Sequence, residues 1–359
     1  MPPVVVAYIS AHGFGHWAQM APVLQALATR HPELRLILRT ALPDSLLSTW
    51  LAHPFTHRAG EIDIGVIQRN ALEEDLDTTR QAVLAFHRHW PERVRDEAAW
   101  LRDTQATLVI SDIAPLAFAA ARRAGMPAIG LCSLDWHDIY RPLFGSDFPP
   151  LDDIRQAHES CILLLQPPLC MPMQSFPQRR SIGLIAHRSR LNRDGARRAM
   201  QLVGDAKIAL VAFGGMARPP FEMQRLAAID GWQFLLPGEA DPGLRLPANV
   251  RSISTREHSI PDLLTAADCL VCKPGYGMLA EAWAAQCPIA WVPRPHFPEY
   301  AYLRQWLETQ APALCLDRDT FRQGSWQATL DRLITLDRAY PPLPPDGAPE
   351  AAEQISLLL

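Results

Sequence analysis

Residues 4–26 read VVVAYISAHGFGHWAQMAPVLQA, and this stretch decides the fold. The apolar run 4–9 shows no alternation, so it reads as a strand buried on both faces. Gly13 and Gly15 then make a turn, and helical spacing takes over near His16. Strand, glycine turn and helix together open a parallel α/β unit, in which ligands gather at the carboxyl ends of the strands. Glycine lets the backbone approach a ligand closely, and the free N–H groups of the helix start favour an anion or a polarised oxygen. His12 and His16 flank the glycines, and either imidazole can act as a general base near neutral pH.

The rest of the chain repeats this alternation. Apolar runs at 34–38, 108–110, 128–131 and 161–165 are separated by helical stretches at 16–29, 72–101 and 115–124. A second series runs 208–213, 233–236, 250–253, 269–271 and 289–292, with helices expected at 219–228, 259–266, 278–285 and 299–308. Alternation of this kind predicts two parallel α/β domains. The proline-rich stretch 166–177 (QPPLCMPMQSFP) suits neither a helix nor a central strand, so the junction is placed there. The expected domains are 1–175 and 176–345. A terminal helix follows the second proline-rich stretch, 340–349, and its segment 346–359 is expected to cross back to the first domain.

The second informative segment, 267–308, reads ADCLVCKPGYGMLAEAWAAQCPIAWVPRPHFPEYAYLRQWLE. A buried strand ends near Cys272, Gly275-Tyr276-Gly277 opens a helix, and Glu281 lies about one turn in. Unpaired N–H donors and the helix dipole suit a diphosphate, and a carboxylate beyond them can accept both hydroxyls of a ribose.

These two segments together resemble the GT-B glycosyltransferases. The similarity is greatest to the glycosyltransferase-like half of arabinokinase-type proteins, and more distant to the lipid-II N-acetylglucosaminyltransferases. It rests on HGFGH (12–16), VISD (109–112), SLDW (133–136), GYG with Ala280-Glu281-Ala282, and Phe297-Pro298-Glu299. The resemblance implies two Rossmann-like domains facing a cleft, with acceptor in the first and donor in the second. It implies His16 as the base, Asp112 as the carboxylate that holds it, and His12 as a secondary candidate. Asp112 could equally cap the helix expected from Pro115. On the donor side the resemblance implies Gly214, Gly215, Arg188, His258, Lys273, Gly275, Tyr276, Gly277, Glu281 and Glu299. Phe14, Asp135 and Trp136 are expected to line the acceptor site, the last two from a loop at 133–140. Where many such enzymes carry Asp-Gln to read the sugar, this chain has Pro298-Glu299-Tyr300. The kinase half of arabinokinase-type proteins is expected to begin where this chain stops.

The reaction so implied is inverting transfer from a nucleotide-diphospho-sugar, with a UDP-sugar expected, to a hydroxyl acceptor without a metal or other cofactor. The missing Asp-Gln leaves open a non-catalytic nucleotide-sugar sensor or accessory subunit. A sugar-nucleotide epimerase would need several carboxylates where histidines stand.

Composition narrows the field further. The 359 residues are 48% hydrophobic and 20% charged, with a net charge of −4, which gives no basic footprint for nucleic acid. No apolar run approaches the ~20 residues of a spanning helix. The N-terminus lacks the basic segment of a signal peptide, so a cytoplasmic, bacterial-type protein is expected. Seven scattered cysteines form no disulfide framework, and Cys269 and Cys272 sit on a strand rather than in a thiol motif. Asp317-Arg318-Asp319 reads as a solvated turn, and residues 73–75 (EED) as the acidic start of a helix.

Overall fold

The computed structural model describes residues 2–202, 204–214, 221–239, 243 and 245–359. The chain divides into two compact units: Met1–Ile67, Asp75–Ile185 and Pro344–Leu359 form the first, and Gln68–Glu74 and Ala186–Leu343 the second.

The first unit is built on a seven-stranded sheet, all parallel. Its order is Phe55–Ala59, Arg35–Thr40, Val4–Tyr8, Leu108–Ser111, Ala128–Leu131, Leu163–Gln166 and Arg179–Ser181. The central strands carry only buried residues, as their unbroken apolar runs require. The two edge strands, FTHRA and RRS, lack that signal, because an edge strand is not covered as a central one is.

The first unit extends to Ile185, ten residues beyond the border expected at 175. The reason is Arg179–Ser181, which pairs in parallel with Leu163–Gln166 after the proline-rich stretch. The tail returns to this unit. Gly183 and Gly347 meet there so closely that a Cβ on Gly183 would lie 2.1 Å from the Pro345 carbonyl oxygen. The helix Gly347–Ser356 then lays Ala351, Ala352 and Ile355 into the core beside Trp17, Met20 and Leu24 of the helix Phe14–Arg30.

The second unit repeats the plan with six parallel strands, ordered Val250–Ile253, Trp232–Pro237, Lys207–Ala212, Cys269–Cys272, Ile289–Trp291 and Ala313–Cys315. Each sheet grows outward both ways from its first strand, and the switch point lies beside that strand.

A short antiparallel pair, Gln68–Asn70 with Glu73–Glu74, belongs to this second unit although its sequence lies in the first half. Residues 73–75 therefore do not all start a helix. Glu73 and Glu74 are strand residues, and only Asp75 caps the helix Leu76–Arg88, accepting from the Thr78 N–H. The helical stretch expected over 72–101 is two helices, Leu76–Arg88 and Trp90–Asp103, parted at His89 with Pro91 in the first turn of the second.

Glu74 accepts from Arg294 Nη2 at 2.6 Å, and both side chains are 5% exposed. Arg294 also lies over the Phe297 ring, 4.4 Å from its centroid. Glu74→Ala would leave a buried guanidinium without its counter-charge, so it is expected to cost about 3–5 kcal/mol. Urea unfolding followed by tryptophan fluorescence reads this directly. A loss well under ~1 kcal/mol would show a solvated pair instead.

Candidate active site

In the first unit, parallel pairing places Tyr8 beside Ser111, so the segments after both strands emerge together at the carboxyl end of the sheet. The Asp112 N–H donates to the Tyr8 carbonyl at 3.1 Å, which fixes that carboxylate under the glycine turn. Asp112 is 1% exposed. Its two oxygens accept from the Ser10 N–H at 3.2 and 3.3 Å. His16 Nδ1 lies 2.9 Å from Asp112 Oδ2. Asp112 does not cap the next helix, which starts at Pro115 after Ala114 without a side-chain cap.

His16 sits in the first turn of Phe14–Arg30, a helix preceded by Gly13 in extended conformation and without a side-chain cap. With Nδ1 against a carboxylate, the ring proton belongs on Nδ1, which makes Nε2 the basic nitrogen of the ring.

His12 is positioned differently. Its ring packs edge-on to Trp136 with centroids 5.4 Å apart, and lies 6.4 Å from the His16 ring. A Cβ on Gly65 would stand 1.9 Å from His12 Nδ1, so only glycine allows this packing.

The segment 133–140 is not a loop beyond Asp135. It opens the helix Trp136–Phe144, and Asp135 is its cap, accepting from the Asp138 N–H at 2.8 Å. Asp135 is fully buried, and burial together with the Asp138 charge pushes its carboxyl up to about 7. Trp136 is 1% exposed and donates its indole N–H to Asp63 Oδ2 at 2.8 Å. Neither residue offers an open surface to an acceptor, whereas Phe14 is 54% exposed. Asp135, His137 and Asp138 also bring three potential ligand atoms together. They stand at a helix N-terminus, where the dipole favours anions over a cation.

In the second unit, the strand Cys269–Cys272 is followed by Lys273, and Gly275 precedes the helix Tyr276–Ala284 in extended conformation. A Cβ built on Gly275 meets nothing within 4 Å, so the loop faces open space. Gly277 follows within the first turn. Glu281, one turn on, is 9% exposed, and no donor among the described residues bonds its carboxyl. Burial alone pushes it up to about 8.

Gly214, after the strand Lys207–Ala212, holds φ +74°, and a Cβ there also meets nothing within 4 Å. The left-handed backbone at this position is why glycine stands there. Gly215 lies outside the described residues.

Lys273 donates to Gln68 Oε1 at 3.3 Å and is brought down to about 8, first by burial and then by the nearby Arg294 charge. Glu299 and Glu74 oppose that shift. Glu299 is 6% exposed and precedes the helix Tyr300–Thr309. His258 is half-buried in the turn before the helix Ile260–Ala266, where Ser259 and Asp262 cap reciprocally. Arg188 is exposed. Asp317 caps the helix Arg318–Arg322, accepting from the Asp319 and Thr320 N–H groups.

No protein-family model matches the chain. Its sequence is similar to the L-arabinokinase of Arabidopsis thaliana, with 26% identity over 343 residues; the match covers 94% of this chain and 32% of that protein. The chain thus spans about a third of the curated relative's length. Among solved structures, a UDP-glucosyltransferase from Polygonum tinctorium that glucosylates indoxyl superposes with a TM-score of 0.66 at 14% identity, covering 100% of this chain and 98% of that one. The calicheamicin glycosyltransferase CalG4 gives 0.62 at 17% identity, covering 100% and 94%. The fold is GT-B.

Within the GT-B plan, the sequence reading reaches His16, Asp112, Gly275 and Glu281 because glycine turns and strand ends mark them. It misses Asp63 and Gly65, which lie in a segment without periodicity or motif, and the Glu74–Arg294 pair, because Glu74 reads locally as a helix start and nothing in the segment around Arg294 points to a partner 220 residues away. No helix among the described residues is long and apolar enough to cross a membrane.

Proposed function

We propose that this chain transfers a sugar from a nucleotide-diphospho-sugar, a UDP-sugar in particular, to a hydroxyl acceptor with inversion. The observation that carries this reading is the 2.9 Å contact between His16 Nδ1 and the buried Asp112 carboxylate on a GT-B scaffold. A hydroxyl is a poor nucleophile. His16 Nε2 takes its proton as the oxygen attacks the anomeric carbon, and Asp112 stabilises the imidazolium that forms. Attack from the face opposite the departing diphosphate inverts the configuration.

The second unit supplies the donor grip. The N–H groups opening Tyr276–Ala284 suit the diphosphate, with Lys273 adding positive charge, and Glu281 accepts from the ribose hydroxyls. In this reading these groups offset the leaving charge in place of a metal ion. Glu299 stands where sugar hydroxyls would be read. The whole-chain likeness to a UDP-glucosyltransferase supports the choice of UDP, and the arabinokinase likeness supports a sugar-handling role.

A thermal-shift panel of UDP, GDP, TDP and their sugars tests the donor class, because a ligand that binds only the folded state raises its melting temperature. UDP compounds are expected to give the largest rise. Stabilisation by GDP or TDP compounds alone would overturn the base assignment. Stabilisation by UDP-sugars without transfer to any of a broad acceptor panel would favour the sensor reading.

A further inference from the structure

We infer that Gln68 is a specificity-determining residue of the donor site, whose side-chain amide donates to a hydroxyl of the transferred sugar. This rests on the donor role proposed above for the second unit. Gln68 comes from the first half of the sequence and enters that unit on the antiparallel pair Gln68–Asn70 with Glu73–Glu74.

This short pair reaches the carboxyl ends of three neighbouring parallel strands of the second unit. Gln68 Oε1 accepts from Lys273, the residue after Cys269–Cys272, at 3.3 Å. Glu74, directly opposite Gln68, accepts from Arg294, just beyond Ile289–Trp291. Glu73 accepts from Arg318 and Arg322, each at 2.9 Å, on the helix that follows Ala313–Cys315. The turn between is plugged into the core. Ala71 is fully buried and Leu72 is 3% exposed, in the same cluster as Phe213, Leu316 and Phe321. The Asn70 side chain closes the turn by accepting from the Leu72 N–H.

Charge pairs and apolar contacts therefore fix the hairpin at the end of the sheet where α/β folds take their ligands. They account for Ala71, Leu72, Glu73 and Glu74 as structural residues, but not for Gln68. Its side chain is half-buried, its oxygen is held by Lys273, and no acceptor among the described residues takes its Nε2 hydrogens. Two residues past Lys273, the Gly275 loop faces open space. An amide held by its oxygen presents two N–H donors in a set direction. Backbone N–H groups and an ammonium suit the charged diphosphate, whereas a neutral amide suits the uncharged sugar. A polar group fixed for one hydroxyl discriminates against a sugar that lacks it.

Gln68→Ala tests this through binding alone. Affinities of the full chain are measured by calorimetry for UDP and for UDP-glucose, UDP-galactose, UDP-N-acetylglucosamine and UDP-arabinose. The tightest of these sugars is expected to bind about three- to tenfold more weakly to the variant. UDP itself should stay within about twofold, because Lys273 keeps its charge. Equal losses for UDP and the UDP-sugar would show that the amide serves only Lys273, and no loss would show that it meets no ligand; either overturns the inference. If the variant does not fold, nitrogen-15 NMR of the unaltered protein decides. The Gln68 side-chain amide signal should shift and gain exchange protection with the UDP-sugar but not with UDP, and a signal indifferent to the sugar contradicts the assignment. A protein that binds no UDP compound removes the donor reading together with this inference. Tight UDP-sugar binding with an indifferent Gln68 removes this inference alone.

Discussion

His16→Ala is expected to lower sugar transfer by about 10²–10⁴-fold, the range typical for loss of a positioned general base. Binding of the nucleotide donor should stay within about twofold, because the donor groups belong to the other unit and a base acts on the acceptor proton. Transfer rates over an acceptor panel, with donor affinity by calorimetry, separate the two quantities. Asp112→Asn should lower turnover by less than His16→Ala, since the amide leaves the ring in place but no longer offsets its charge. It also gives the Ser10 N–H and His16 Nδ1 a weaker acceptor. Wild-type turnover in His16→Ala would show that the imidazole does no proton transfer. A matching loss of donor affinity would show that it belongs to the donor grip.

Glu281→Gln should make the protein more stable and worse at binding nucleotide. Burial raises this carboxyl from 4.5 to about 8 in the folded chain. The unfolded chain releases its proton above pH ~4.5, while the folded chain holds it until about 8, so this group weakens the fold as pH rises through that window. At pH 7 the penalty is of order 2–3 kcal/mol, and a neutral amide removes it. The melting temperature of the variant should rise by roughly 5 °C at pH 7 and by little at pH 4. The same substitution replaces charge-assisted bonds to ribose hydroxyls with neutral ones, costing about tenfold or more in affinity. Nucleotide affinity of the unaltered protein should also strengthen as pH rises toward 8, and that trend should vanish in Glu281→Gln. A variant neither stabilised nor weakened in binding would place Glu281 in an ordinary helix interior.

These expectations begin from features readable in the amino-acid sequence itself. The helix Pro115–Ala124 and the strands Ala128–Leu131 and Val250–Ile253 match the expected limits, the helix through its amphipathic spacing and Ala128–Leu131 through an unbroken buried run. His16 and Glu281 were legible through the glycine turns before them. What was not legible depends on long-range packing. The edge strands Phe55–Ala59 and Arg179–Ser181 carry charged residues, since their positions are set by a neighbouring strand rather than by their own burial. The pair Gln68–Asn70 and Glu73–Glu74 joins the second unit through charges separated by more than two hundred residues, as in Arg294–Glu74 and Arg318–Glu73. Local periodicity holds no record of such contacts. Asp135 and Trp136 show a different limit. Polar and aromatic residues after a strand suggested a binding loop, but the carboxylate caps a helix and the indole is buried against Asp63.

A crystal structure of the chain with UDP bears most directly on the claim that the second unit holds an activated sugar. The diphosphate should rest on the N–H groups of Tyr276 and Gly277, with both ribose hydroxyls on the Glu281 carboxylate. UDP bound elsewhere, or bound with Glu281 still without a partner, would contradict the account.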